Sequence, residues 1–275
     1  MKTFLLSVTM VAILVTSANA QKIAVTKGQK LETLTTTKTT MEVMGQNIDN
    51  ETSLTNSVEV KDVTADGYLF SNTIKRMVIK GSAMGQEMNF DSDKKEDMDG
   101  QMGQALKGHI GTAQEIQVDK QGKVASIKEG EDKQAGPDMA SMMNMTGDLG
   151  KGQPYPMLIQ LPVKSIKPGD SWTDSSGTAA TMKTVIVYTL KSLTSDGALV
   201  SFNGTMAKNG NIEQNGMEIQ MDITATTKGE STYDSNSGLL KTTTSTSDIK
   251  GTLGVMGQNA PIAGTVTATV VAKKI

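Results

Sequence analysis

The stretch "VKDVTADGYLFS", residues 60–71, has the pattern of a β-strand, an Asp-Gly turn and a second β-strand. It aligns without a gap with "LKSLTSDGALVS", residues 190–201. The Asp-Gly pairs supply the positive φ angles that tight hairpins require. Because the same hairpin occurs at two distant places in the chain, we predict that the protein is built from two related halves.

The clearest single strand is "MEIQMDITAT", residues 217–226, in which apolar and polar residues alternate strictly. Alternation with a period of two places one set of side chains on a buried face and the other in water. One-sided burial of this kind is typical of antiparallel sheets. We therefore predict a mainly β protein, with an antiparallel curved sheet or open barrel made of two related halves. One or two short helices are expected on one face of this sheet.

The first break in the β pattern covers residues 92–108. Ser92 and Asp93 resemble a helix cap, and Met98, Met102 and Leu106 follow at intervals of four residues. A cap followed by apolar residues at this spacing predicts a short amphipathic helix.

The second break covers residues 136–150, where a proline near the first turn precedes Met139, Met142 and Met143. The same rules predict a second helix here. A proline-rich connector, "GQPYPMLIQLPVKSIKPGDSW" at residues 152–172, then leads into the second half.

The first residues have the form of a secretory signal peptide. Lys2 precedes an apolar run, and Ala18-Asn19-Ala20 matches a cleavage site. The apolar run is shorter than the roughly 20 residues of a membrane span. We predict a signal peptide at 1–20 and a single β-rich domain at 21–275, with halves at about 21–150 and 151–275. The mature protein is expected in the periplasm or outside the cell, without a transmembrane segment.

Composition excludes several classes of function. The chain contains no cysteine, so it can form no disulfide and perform no cysteine catalysis. With a net charge of −2 and no basic stripe, nucleic acid is not an expected partner. About 255 mature residues are enough to bury a core without covalent cross-links.

A Gly-Asp-Ser triplet that ends at Ser171 resembles the opening of the GDSL-type esterase site. That site needs a downstream histidine, but the only histidine here, His109, lies upstream of Ser171. A serine without a base is a poor nucleophile. Pro168 and Gly169 instead suit positions i+1 and i+2 of a type II turn, after which Trp172 would bury its ring in a strand. We predict that the protein is not an enzyme.

Two segments of the sequence resemble ion-binding sites. "DSNSG" at 234–238 resembles the start of a calcium loop, but Ser245 stands where the twelfth-position acid is required. A hairpin turn is therefore favoured. Methionines crowd residues 139–145 and could hold Cu(I). Methionine is spread over the whole chain, however, which is typical of its use as a flexible core residue. No cofactor or metal is predicted, and Cu(I) binding is a minority alternative.

Three functions remain open. The favoured one is a non-catalytic envelope protein that binds an apolar ligand or another envelope protein on a concave β-face. Faces rich in Met, Ile and Val, with a Met-rich helix as cover, suit adaptable apolar contacts. The candidate ligand-binding residues are Met139, Met142, Met143, Met217 and Met221. The alternatives are a structural or surface-exposed secreted protein without a small-molecule ligand, and a minority class that comprises the Cu(I)-binding protein and an enzyme with an unrecognised carboxylate site.

The blocks "LPVKSIKPGDSW" (161–172) and "STYDSNSGLL" (231–240) carry a resemblance to a known family. Together with the signal peptide and the two β-rich halves, they are similar to a family of secreted Bacteroidota proteins catalogued as a domain of unknown function. The resemblance covers most of the mature chain and implies neither an activity nor site residues. In fold alone, the expected curved sheet with a helix across one face is similar to periplasmic lipoprotein carriers.

Overall fold

The computed structural model describes residues 23–43, 45–83, 85–128, 149–162, 166–177, 182–214, 217–255 and 258–275. These residues form twelve β-strands and two short helices. In chain order the elements are β1 (Lys30–Val43), β2 (Gln46–Val63), β3 (Gly67–Ala83), β4 (Gln86–Asp91), α1 (Lys95–Asp99), α2 (Gln101–Leu106), β5 (Ala113–Asp119), β6 (Val124–Lys128), β7 (Ser171–Ser176), β8 (Lys183–Leu193), β9 (Ala198–Gln214), β10 (Met217–Tyr233), β11 (Leu240–Val255) and β12 (Gln258–Lys274).

All twelve strands belong to one antiparallel sheet with the order β6-β5-β3-β2-β1-β12-β11-β10-β9-β8-β7, and β4 pairs with β3 beside this path. Each half is a meander of successive hairpins. Strand β1 pairs with β12, so the first strand of one half joins the last strand of the other. The described sheet is not closed, because β6 and β7 form its two edges. The predicted mainly β, antiparallel fold is confirmed.

The two halves share their local hydrogen bonding as well as their sequence pattern. In the first hairpin, the Thr64 amide donates to the Gly67 carbonyl at 2.8 Å, and in the second the Thr194 amide donates to the Gly197 carbonyl at 3.0 Å. The strand before each of these turns carries an irregularity in register at the equivalent position. The predicted internal repeat is therefore confirmed in three dimensions.

The connector binds the same turn in both halves. The Tyr155 amide donates to the carbonyl of Gly122, before β6, at 2.8 Å, and the Ile159 amide donates to the carbonyl of Gly238, before β11, at 2.9 Å. In each case the connector residue two positions earlier accepts a hydrogen bond from the first residue of the strand that follows the turn. The two equivalent sets of hydrogen bonds are therefore four residues apart along the connector.

The main core lies where these turns meet and contains residues from both halves. Phe70 of the first half has no exposed surface, and its ring centroid lies 4.8 Å from that of Tyr155 on the connector. Val200 of the second half belongs to the same cluster. The Tyr68 hydroxyl donates to the Ile23 carbonyl at 3.1 Å, which ties the segment before β1 to this core.

The two edges of the sheet approach each other at one point. Lys123, directly before β6, forms an ion pair of 2.6 Å with Asp174 on β7, and both side chains are partly buried. Strong curvature is needed to bring the first and last strands of the sheet order this close. The side chains of the main core fill the concave side of the curve.

The helix predicted at residues 92–108 is present as two short helices. The chain becomes extended at Gly100, with φ −75° and ψ 172°, and this separates α1 from α2. The cap predicted at Ser92 and Asp93 is wrong, because α1 begins after Lys94 without a side-chain cap. The Ser92 hydroxyl instead accepts a hydrogen bond from the Met77 amide at 2.9 Å. The second predicted helix, 136–150, lies outside the described residues except for its last two positions.

Candidate functional site

The two faces of the second half differ in chemistry. On β10, the side chains of Met221, Ile223 and Ala225 lie on the face that also carries the main core, and we call this the inner face. Thr224 and Thr226 are exposed on the opposite, outer face. The alternation predicted for residues 217–226 is confirmed over its described part.

An apolar cluster lies on the inner face away from the main core. It consists of Ala225, Ile249 and Val266, which are buried, and Met206 and Ile223, which are partly buried. Cross-strand register brings them together, since Ala225 pairs with Met206 on one side and with Ile249 on the other. We call these five residues the apolar patch. All of them lie on strands β9 to β12.

The predicted ligand-binding methionines fall into three groups. Met221 is half-buried on the inner face, two residues before Ile223, and therefore borders the apolar patch. Met217 begins β10, but its side chain lies outside the described part. The remaining three, at 139, 142 and 143, lie outside the described residues altogether.

The first half covers the corresponding face with its own elements. Ile79 of β3 has no exposed surface and clusters with Phe90 of β4 and Leu106 of α2. Met98 and Met102 pack against this cluster, as their helical spacing predicted. The insertion β4-α1-α2 between β3 and β5 therefore covers the inner face of the first half.

An ion pair at the surface fastens this insertion. Arg76 on β3 donates to Asp91 at the end of β4, with a closest distance of 2.7 Å. These hydrogen bonds hold the pKa of Asp91 below its ordinary value and raise that of Arg76. The pair joins β3 to the end of β4, directly before the two helices.

The second half has no equivalent insertion. Strands β9 and β10 pair along their whole length from Gln214 and Met217 onward, so β10 follows β9 as a direct hairpin. The alignment of residues 60–71 with 190–201 places Leu54 of β2 and Thr184 of β8 at equivalent positions. Met77 of β3 pairs with Leu54, and Met206 of β9 pairs with Thr184, so Met77 and Met206 are equivalent. Met77 packs beneath an insertion, whereas the apolar neighbours of Met206 in its cluster all lie on the sheet itself.

The residues weighed for nucleophilic catalysis lie in different parts of the fold. Ser171 begins β7, and its hydroxyl lies 2.8 Å from that of Thr189. His109 follows α2 in the first half. The predicted turn is confirmed, since Gly169 has φ +99° and the Asp170 amide donates to the carbonyl three residues earlier at 3.0 Å. Ser171 is therefore the first residue of a strand that follows a turn.

The tryptophan after this turn is less buried than predicted. Trp172 is half-buried and stacks on Tyr188, with ring centroids 5.4 Å apart. It packs against the edge of the main core. Its position on the short edge strand β7 explains the remaining exposure, because no further strand of the described sheet lies beyond it.

The turn around Asp234 has the geometry of a hairpin connection. Asp234 Oδ1 accepts hydrogen bonds from the Ser237 amide and hydroxyl, each at 2.8 Å, and from the Asn236 amide at 3.1 Å. This self-contained turn joins β10 to β11, as the sequence favoured. Within the described residues, no group of three or more His, Cys, Asp or Glu side chains could hold a metal ion.

Two surface grooves lie on the outer face of β10, β11 and β12, with volumes of about 360 and 440 Å³. Threonine is the commonest residue that lines them, and charged residues such as Lys228 and Asp248 also contribute. Neither groove is lined by Met221 or Ile223. The first groove therefore shares no residue with the apolar patch, and the second shares only Ile249 with it.

Fold and site together define a class of protein: a two-half antiparallel β-sheet protein with a shared core and an additional apolar patch on one half. The sequence profile described as "Family of unknown function (DUF6263)" matches residues 65–153 and 151–240. These segments cover more than half of the chain, which therefore belongs to this family. The expected membership of a family of unknown function is confirmed.

The comparisons with curated proteins and with solved structures add no further family. A sequence search of curated proteins finds no match. Among solved structures, the chain is similar to the one named "Lipid-protein interactions in lipovitellin", with a TM-score of 0.47 and 11% sequence identity. The match covers 90% of this chain and 25% of the lipovitellin chain. None of the helices in the described ranges combines the length and apolar character that a membrane crossing requires.

Proposed function

We propose that the protein is a non-catalytic binding protein that holds an apolar ligand on the inner face of its second half. The observation that carries this proposal is the contrast between the halves. The first half buries Met77 beneath its β4-α1-α2 insertion, whereas the second half has no such insertion and keeps an apolar residue, Met206, at the equivalent position. Met206 belongs to a contiguous group of apolar side chains on this face, and contiguous apolar surface is typical of interaction sites.

The composition of the patch supports a ligand with little shape specificity. Met206 and Met221 have flexible, polarizable side chains that adapt to different apolar surfaces. Ala225, Ile249 and Val266 are buried and form the well-packed part of this surface. A non-catalytic role agrees with the position of Ser171, whose hydroxyl contacts another hydroxyl rather than a base.

Replacing Ile223 by glutamine should weaken the binding of an uncharged apolar probe about tenfold. A half-buried isoleucine that contacts the probe contributes about 1–2 kcal/mol through apolar burial, and about 1.4 kcal/mol corresponds to a factor of ten. The measurement is a fluorescence titration of the mature protein with 1-N-phenylnaphthylamine, which brightens in apolar surroundings.

The neighbouring substitution Thr224→Gln is the matched control, because it adds the same side chain to the same strand on the outer face. It should leave the probe affinity unchanged, and both variants should keep the circular dichroism of the natural protein. If the natural protein does not bind the probe, or if both variants bind it equally well, the proposal is wrong. Those results would favour a protein partner on this face or a purely structural role.

We further propose that the chain is exported and cleaved after Ala20. The first described residues already belong to the core: Ile23 accepts the hydrogen bond from Tyr68, and the Ala24 amide donates to the Ser237 carbonyl at 3.3 Å. A mature chain that starts at Gln21 therefore keeps all of these contacts.

Mass spectrometry of the protein isolated from its own host should give a mass that starts at Gln21, or at its cyclised pyroglutamate form. The expected site follows from the small residues at Ala18 and Ala20. The control substitution Ala20→Leu should block this cleavage, because the site requires a small residue. A mature chain that still contains residues 1–20, or a cut beyond Ile23, would rule out the proposal.

A further inference from the structure

One inner-face position of the second half does not fit a purely apolar surface. On β9, the next inner-face residue after Met206 is Lys208, which pairs directly with Ile223 of β10. Its side chain is half-buried. Among the described inner-face positions of β9 and β10 it is the only charged residue, whereas the outer face of β10 carries several charges, such as Lys228 and Glu230.

The repeat shows what the first half has at this place. Since Met206 is equivalent to Met77, Lys208 is equivalent to Ile79, the next inner-face residue of β3. Ile79 has no exposed surface and packs beside Phe90 and Leu106. The second half therefore has a cation at the position where the first half has a fully buried isoleucine.

The ammonium group of Lys208 makes no hydrogen bond or ion pair within the described part of the chain. A cation among apolar side chains loses hydration that only an anion or hydrogen-bond acceptor can replace. The stem of a lysine side chain packs well on apolar surface, while its ammonium group remains free to meet such a partner. An apolar surface with one cation at its border suits a ligand that carries a single negative charge on a hydrocarbon chain.

We propose that Lys208 binds the headgroup of a long-chain carboxylate, a fatty acid, whose hydrocarbon chain lies along Ile223 and Met221. This inference rests on the proposed function and names its ligand class. A carboxylate is favoured over a phosphate because one ammonium group balances one negative charge. Phosphate sites usually add arginine forks or backbone donors, and the described inner-face positions of β9 and β10 carry no arginine.

The test compares 11-(dansylamino)undecanoic acid with its methyl ester, which has the same chain and fluorophore but no charge. The natural mature protein should bind the acid about tenfold more tightly than the ester at pH 7.5. In Lys208→Met the two affinities should become equal, with the ester bound at least as well as before. Lys208→Arg should keep the preference for the acid, because it keeps the charge.

Lys228→Met is the matched control, since it removes one exposed lysine from the outer face of the next strand and should preserve the preference. Equal binding of acid and ester by the natural protein would overturn this inference but leave the proposed apolar site intact. Tighter binding of a single-chain alkyl phosphate than of the matching carboxylate would overturn the choice of headgroup. Failure of both dansyl probes and of 1-N-phenylnaphthylamine would instead reject the proposed function itself.

Discussion

Replacing Phe70 by alanine should lower the free energy of unfolding by about 4 kcal/mol. The ring has no exposed surface, and it lies against Tyr155 in the cluster that joins both halves to the connector. Removing a fully buried phenylalanine typically costs about 3–5 kcal/mol, because transfer free energy is lost and a cavity remains. Urea unfolding followed by the fluorescence of Trp172 provides the measurement.

Leu34→Ala is the control for this experiment. Leu34 lies on β1 and is 48% exposed, so its truncation should change stability by no more than about 0.5 kcal/mol. Unfolding should remain a single transition in Phe70→Ala, since the cluster contains Leu190 and Val200 of the second half as well. A loss below about 1.5 kcal/mol, or separate transitions for the two halves, would contradict the shared core.

This core explains why the connector is apolar. Its backbone satisfies hydrogen-bonding groups of the turns at Gly122 and Gly238, and its side chains at Tyr155, Leu158 and Leu161 fill the space between the halves. Two sheets joined by a flexible linker would not need buried residues in that linker. The connector therefore packs against both halves of one curved sheet, on its concave side.

Much of this architecture is local and could be predicted from the sequence. Strict alternation at residues 217–226 specifies which side chains share a face, and the Asp-Gly turns specify where the hairpins reverse. The turn at Pro168 and Gly169 was predictable for the same reason, because proline and glycine restrict φ directly. Such features depend on a few neighbouring residues.

The site was harder to predict because it depends on register and on what covers the sheet. Met206, Ile249 and Val266 lie on three strands that are far apart in sequence, and only the pairing brings them to Ala225. Alternation within each strand was a weak signal for them. The Met-rich candidates were predicted from composition, which does not specify where a side chain lies in the fold.

The helical insertion shows the same limit. The spacing of Met98, Met102 and Leu106 indicated one helix, but the backbone at Gly100 is extended and divides it. The role of the insertion as a cover could not be inferred, since it depends on comparison with the direct β9–β10 hairpin of the second half. Lys208 likewise stands out only after its structural equivalence to Ile79 is known.

A second large effect is expected at high pH, from the tyrosines of the main core. Burial raises the pKa of Tyr155 far above its ordinary value of 10.0. Burial also raises the pKa of Tyr233, although a hydrogen bond from Ser231 lowers it in part. In the unfolded chain both phenols ionise near pH 10. Below pH 10 both states are protonated, so the stabilisation is fully present. Above pH 10 only the unfolded chain loses these protons, and the free energy of unfolding falls.

Each such tyrosine lowers the free energy of unfolding by about 1.4 kcal/mol per pH unit above 10, until its own folded-state pKa is reached. Between pH 10 and pH 11.5, Tyr155 alone should therefore lower the free energy of unfolding by about 2 kcal/mol, and the raised pKa of Tyr233 adds a further loss in the same direction. That is a large share of the roughly 5–15 kcal/mol that stabilises an ordinary domain. Urea unfolding at a series of pH values measures the decrease.

The variant Tyr155→Phe separates this effect from the deprotonation of lysines, which is common to both proteins. It keeps the ring beside Phe70 but removes one ionisable proton, so it should lose about 2 kcal/mol less than the natural protein over the same interval. Absorbance at 295 nm should show that the folded natural protein keeps Tyr155 protonated well above pH 10. Equal losses in the two proteins, or ionisation of all four tyrosines near pH 10 while the chain is still folded, would show that the ring of Tyr155 is open to water. The connector would then not be packed between the halves, and the stability expected from Phe70 would fail with it, because both predictions depend on the same buried contact.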